Sequence, residues 1–165
     1  MWIERLDASH ALAYRELMLE AYDRHPQAFT SSVRERAAMP LSGWEGRLTS
    51  KLDVVLGAFV EGRLAGIVGL AFEAREKARH KATLFGMYVS GTLRQRGVGQ
   101  QLVQAALAEA GKHQGLRLIK LTVTAGNDTA FNLYSRCGFI QFGLEPMAVR
   151  VGEDYFDKIH MWREL

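Results

Sequence analysis

The stretch Leu84-Phe85-Gly86-Met87-Tyr88-Val89-Ser90-Gly91-Thr92-Leu93-Arg94-Gln95-Arg96-Gly97-Val98-Gly99 runs from an apolar segment through a basic, glycine-rich turn into the start of a helix. The apolar segment, Ala82 to Val89, is rich in β-formers and predicts a strand. Beyond the turn, Val98, Leu102, Ala106 and Ala110 recur every four residues, with Val103 and Leu107 beside them. That spacing predicts an amphipathic helix from Val98 to about Lys112. A helix N-terminus presents free backbone N–H groups and the positive end of the helix dipole. Glycines let that backbone approach a ligand closely and adopt φ > 0. Arg94 and Arg96 add formal positive charge, so the turn has the composition of an anion site suited to a pyrophosphate.

Two common nucleotide motifs do not fit. In the dinucleotide fingerprint Gly97-x-Gly99 would need a third glycine where Leu102 stands, and no Gly-Lys-Ser/Thr run is present for a Walker loop.

Outward from this stretch the pattern alternates between strand and helix. Upstream, Val54 to Val60 and Leu64 to Phe72 are β-rich runs joined by Glu61-Gly62-Arg63, which predicts a hairpin. Further upstream lie a short strand at Ile3 to Leu6, a helix from Ala8 to His25 stopped by Pro26, and a short helix from Ser42 to Lys51 carrying Trp44 and Leu48. The segment Gln27 to Pro40 between these helices is polar and irregular at first. Downstream, Leu118 to Val123 predicts a strand. Asn127 to Cys137 predicts a helix capped by Asp128 and ended by Gly138. Two last strands are expected near Phe139 to Phe142 and near Asp157 to Arg163. The order β, α, α, three β, α, β, α, β, β describes a mixed α/β sheet, antiparallel in its first half, with a strand–helix–strand unit in its second.

Composition is consistent with that reading. The chain has 165 residues, of which 48% are hydrophobic, so one domain with one sizeable core is expected over residues 1–165. The formal net charge is +3, and basic and acidic residues interleave without a dense basic run. No nucleic-acid partner is therefore expected. Cys137 is the single cysteine, so no internal disulfide can form. No apolar run reaches the roughly 18 residues a membrane span needs, and no basic start leads into an apolar core at the N-terminus. A cytoplasmic protein with no membrane partner is expected. His10, His25, His80, His113 and His160 show no metal-ligand spacing, and no metal is expected.

Arg94-x-x-Gly97-x-Gly99 after an apolar strand, with a leucine-bearing helix behind it, resembles the GNAT (GCN5-related) N-acetyltransferase superfamily. A second segment, Asn127-x-x-Ala130-x-x-x-Tyr134-x-x-x-Gly138-Phe139, resembles the family's Asn-x-x-Ala…Tyr…Gly-Phe pattern. The resemblance spans Val54 to the end of the chain, and the N-terminal helices more loosely. It implies an acyl-CoA N-acyltransferase fold, α/β with six or seven mostly antiparallel strands and helices on both faces.

The resemblance also implies the chemistry. Acetyl-CoA would be the co-substrate and a primary amine, on a small molecule or on a peptide or protein, the acceptor. Transfer would be direct, in a ternary complex. The backbone of Met87, Tyr88 and Val89 would pair with the pantetheine arm, and the Met87 N–H would polarise the thioester carbonyl. Arg94, Gln95, Arg96, Gly97, Val98, Gly99 and Gln100 would hold the pyrophosphate, and Asn127 would bond the pantetheine arm. Tyr134 would protonate the departing thiolate. The oligomeric state is open; many relatives dimerise through their late strands, so a homodimer is one of the states the resemblance allows.

The general base is open. Some family members carry a Glu where this chain has Thr83, which cannot serve. Glu73, His80, His160 or a water chain are the alternatives. Cys137 fits a buried helix end better than an acyl-accepting nucleophile. Trp44, Phe29 and Tyr155 fall in segments that shape the acceptor side in the family, and each is equally at home in ordinary packing. The rival reading is a non-catalytic acyl-CoA-binding or sensor module with the same fold.

Overall fold

The computed structural model describes residues 1–93 and 96–165. Arg94 and Gln95, both expected at the pyrophosphate, lie outside the described residues.

Seven strands form one sheet in the order β1-β2-β3-β4-β5-β7-β6. They are β1 (Trp2–Arg5), β2 (Asp53–Val60), β3 (Arg63–Phe72), β4 (Lys81–Val89), β5 (Leu118–Thr124), β6 (Ile140–Val151) and β7 (Asp154–Glu164). Five helices accompany them: α1 (Ala11–Arg24), α2 (Val33–Ala37), α3 (Leu41–Thr49), α4 (Val98–Gly111) and α5 (Asp128–Arg136). Every strand pair is antiparallel except β4 and β5.

The sheet separates two apolar clusters, as its period-2 side chains require. Val54, Leu56 and Ala58 of β2 face Leu102, Val103 and Ala106 of α4 and Tyr134 of α5. Val55 and Phe59 face Tyr14, Leu17 and Met18 of α1 and Trp44 of α3. Strand β2 is covered on both sides, which is why its sequence reads as an unbroken apolar run.

Two sequence expectations need correction. The last two strands are far longer than the short runs near Phe139–Phe142 and Asp157–Arg163. Ile140–Val151 and Asp154–Glu164 form a long hairpin whose outer strand is the sheet edge. Ile140, Phe142, Leu144 and Met147 on that edge are each more than half exposed, so no buried alternation marks it. Its register breaks between Glu145 and Val149, where Met147 has φ 51° and its N–H donates to Asp157 Oδ1 at 2.8 Å.

The cap of α5 is Asn127, not Asp128. Asn127 Oδ1 accepts from the Ala130 N–H at 3.2 Å, and Asp128 sits within the first turn. There its carboxylate faces the positive end of the dipole, a favourable place of a different kind.

Candidate active site

Strands β4 and β5 are partners for only three residues: Lys81 with Leu118, Ala82 with Ile119, Thr83 with Lys120. Beyond Thr83 they part. The opening continues into a cleft of about 720 Å³ whose walls come from both faces of the sheet.

A bulge shapes the β4 wall. Ile67 pairs with Tyr88 and Gly69 with Phe85, so Gly86 and Met87 together stand opposite the single residue Val68 on β3. Gly86 has φ 60°, the left-handed conformation that only glycine adopts without strain. The extra residue reverses the side-chain alternation. Before it, Ala82 and Leu84 point into the α4–α5 cluster; after it, Met87 and Val89 do, while Tyr88 joins the α1 cluster. The phase change from even to odd apolar positions, centred on a glycine, is visible in the sequence and would have located the bulge. The sequence reading did not assign Gly86 a role.

The N-terminus of α4 is built for an anion by its backbone. Gly97 occupies the cap position with φ 74° and without a side-chain cap. The first helical bond runs from the Gln101 N–H to the Gly97 carbonyl at 3.1 Å, so the N–H groups of Val98, Gly99 and Gln100 have no acceptor within the helix. Val98 itself is buried, and only its backbone is available to a ligand. At Gly99 a Cβ would stand 3.2 Å from both Leu133 Cδ2 and Met87 Cε. Its lack of a side chain lets α4, α5 and β4 converge. The Arg96 side chain is exposed and lies by a separate depression with Glu16, Glu20 and Arg63. The Tyr88 hydroxyl donates to Glu20 Oε1 at 2.9 Å on the α1 face.

Of the residues expected in the site, Met87, Asn127 and Tyr134 line the cleft together. With Oδ1 of Asn127 engaged in the cap, its amide NH₂ is the half that a ligand carbonyl can use.

The end of α5 fixes Tyr134. The Phe139 N–H donates to the Tyr134 carbonyl at 3.0 Å and the Gly138 N–H to the Ser135 carbonyl at 3.0 Å. With Gly138 at φ 89°, this is a Schellman termination. Phe139, fully buried, packs edge-on against the Tyr134 ring at 6.0 Å. The Tyr…Gly-Phe spacing is thus the local code that locks the phenol in place. Burial pushes the Tyr134 hydroxyl well above the ordinary phenol range, with neighbouring Cys137 adding to the shift. Burial also pushes up the Cys137 thiol, which keeps it un-ionised and a poor nucleophile.

The other wall comes from α1, α2, α3 and the segment after α1. Trp44 and Phe29 line the cleft; Tyr155 does not, lying exposed with the Arg150 guanidinium 5.7 Å from its ring. Thr124, buried at the end of β5, donates through Oγ1 to the Gln27 carbonyl at 2.8 Å. Lys158 Nζ of β7 donates to Thr30 Oγ1 at 2.7 Å. These two bonds hold residues 27–30 over the cleft.

None of Glu73, His80 and His160 lines the cleft, and His160 is paired with Glu145 at 3.0 Å. The carboxylate there among the described residues is Asp53, which shares a sheet row with Ala71 and Thr83. Its Oδ1 is 3.9 Å from Arg47 Nη1. No sequence motif announces Asp53, Arg47 or Arg36, since they come from three different elements.

A parted parallel pair with a glycine bulge on one lip, next to the N-terminus of α4, frames the cleft. The chain belongs to the GNAT acetyltransferase family: its sequence matches the family described as "Acetyltransferase (GNAT) family" over residues 14–139. Its fold is similar to that of a GNAT-family acetyltransferase from Streptococcus pneumoniae, with TM-score 0.86, 22% identity and 99% of each chain covered. It is similar also to ribosomal-protein-alanine N-acetyltransferase from Brucella melitensis, with TM-score 0.84, 20% identity and 100% of each chain covered. A third is yncA from Salmonella typhimurium, solved with its cofactor acetyl-CoA. Its TM-score is 0.83 at 19% identity, covering 100% of this chain and 94% of that one. The seven-stranded mixed sheet with helices on both faces is the expected GNAT fold. No described helix is long and apolar enough to cross a membrane.

Proposed function

We propose that the protein transfers the acetyl group of acetyl-CoA to a primary amine by direct attack within a ternary complex. The observation that carries this reading is the convergence of Met87, Asn127 and Tyr134 on one cleft, opened where β4 leaves β5.

In this reading the N–H groups of Val98, Gly99 and Gln100 receive the pyrophosphate, with charge–dipole attraction as the main term. The backbone of β4 beyond Thr83 pairs with the pantetheine arm, as an added strand would. The Asn127 amide NH₂ donates to the arm from the opposite lip. The Met87 N–H, re-aimed by the Gly86 bulge, donates to the thioester oxygen. Such a donor gains strength as negative charge builds there, so it favours the transition state over the ground state.

Tyr134 donates the proton that leaves with the thiol. Burial makes its phenol a weaker acid, but the same surroundings raise the basicity of a buried thiolate, so the transfer stays feasible. The amine attacks as its free base. The guanidinium groups of Arg36 and Arg47 on the acceptor wall favour that neutral form, because a nearby cation lowers the pKa of an ammonium.

The test is a panel of amines with acetyl-CoA, following release of free thiol. The reading stands if at least one amine gives turnover that depends on both substrates. Tight binding of acetyl-CoA with no turnover on any amine would mark a binding module instead.

A further inference from the structure

The acceptor wall is charged in one sense. Arg36, Arg47 and Lys158 line the cleft, against Asp53 alone. Asp53 stands beside Arg47, yet Arg36 and Lys158 have no carboxylate within 4.0 Å among the described residues. Their partners are uncharged: Arg36 Nε donates to Ser31 Oγ at 3.0 Å and its Nη1 to Met39 Sδ at 4.0 Å, and Lys158 Nζ donates to Thr30 Oγ1 at 2.7 Å. The Arg47 guanidinium is braced over the Phe85 ring at 4.7 Å. Trp44, also in the wall, carries a buried Nε1–H with no acceptor among the described residues. Positive charge therefore exceeds negative charge on this side.

The two arginines act at one place although they come from different helices. Both lower the otherwise raised pKa of Tyr14, and both do so for Tyr22, whose phenols line the same wall. A half-buried guanidinium aimed at a cavity and lacking a counter-ion is costly unless a ligand supplies one. Two planar forks at one location suit a carboxylate. The bonds from Thr124 and Lys158 hold the segment above the cleft, whose volume of about 720 Å³ is on the scale of a small-molecule site.

We propose that the acceptor is a small primary amine carrying its own carboxylate, which Arg36, Arg47 and Lys158 receive while the amine faces the Gly86 bulge. This inference rests on the transferase reading for its turnover test, and stands on its own for binding. A bare ammonium would be repelled by this wall; the carboxylate brings the compensating charge and sets the amine's direction.

The experiment uses twenty α-amino acids and their matched carboxamides. Turnover is measured with acetyl-CoA, and binding by thermal shift with and without CoA. At least one acid should exceed its carboxamide about 100-fold in kcat/KM and should stabilise the protein where the amide does not. Arg36→Gln should lower that acid-to-amide ratio tenfold or more; an equal loss on both would mean a merely structural arginine and overturn the inference. Turnover of amides as good as acids overturns the inference and leaves the transferase reading intact. Carboxylate-selective stabilisation without turnover does the reverse. Neither turnover nor selective stabilisation sinks both.

Discussion

The two halves of the cleft are built by opposite strategies. The half proposed to hold the acyl donor, from β4 to α4 and from β5 to α5, works mainly with backbone: a bulge at Gly86, N–H groups at Val98 to Gln100 with no acceptor inside the helix, and a cap at Asn127. The acceptor half works with side chains drawn from α1, α2, α3, β2 and β7, among them Tyr14, Arg36, Arg47, Asp53 and Lys158. Backbone recognition depends on glycine and on local geometry, so it tolerates little sequence change. Side-chain recognition can be re-specified one residue at a time.

Variants can break the comparison, and the largest effect is expected at the point where the halves meet. Tyr134→Phe keeps the buried ring and removes the hydroxyl proposed as proton donor, so kcat should fall by ~100-fold or more, with KM for acetyl-CoA nearly unchanged. Steady-state kinetics with thiol detection checks it; unchanged kcat would remove Tyr134 from the chemistry.

A smaller loss is expected at Gly86. The nearest atom to an added Cβ is Met18 Cε at 4.0 Å, so Gly86→Ala meets no clash and probes conformation alone. Holding φ positive should cost about 1–2 kcal/mol, or else the bulge relaxes and misaims the Met87 N–H, with kcat lower by roughly tenfold. Urea unfolding and kinetics together tell which. An alanine variant with full stability and full activity would show that the bulge does not aim the donor.

Asn127→Ala should remove the α5 cap and one donor to the cofactor arm. A stability loss of about 1 kcal/mol is expected, together with a higher KM for acetyl-CoA. An unchanged KM would confine Asn127 to capping.

The smallest effect belongs to the acceptor wall and needs alkaline pH. Burial pushes the Tyr14 hydroxyl up to about 12, against 10.0 for an ordinary phenol, with Arg47 easing the shift. A group whose pKa is higher in the folded protein gives its full stability below the unfolded value and loses it as pH rises through the folded one. Between pH 10 and 11 that loss is about 1 kcal/mol. The stability of Tyr14→Phe should fall correspondingly less over that interval in denaturant titrations; parallel curves would contradict the shift.

The same division explains what the sequence could disclose. The strand–turn–helix around Gly97 and Gly99 and the Tyr134…Gly138-Phe139 ending were legible, because each is a local device with its glycine at a fixed offset. The bulge at Gly86 was legible in principle, through the shift from Leu84 to Met87 in apolar phase. The acceptor wall was not, since Arg36 and Lys158 meet only through tertiary folding and isolated charges read as solvated surface. The long hairpin escaped for another reason. Strand β6 is an edge, its residues Ile140, Phe142, Leu144 and Met147 stay exposed, and it contains Pro146, which an edge strand permits.

The early parting of β4 from β5 leaves the sheet unfinished near its middle, with three paired residues where neighbouring strands share many more. A molecule that slots in as the absent strand stabilises the native state by mass action, about 2.7 kcal/mol when present at a hundred times its Kd. Resistance to proteases and persistence in the cell then rise and fall with the supply of that molecule.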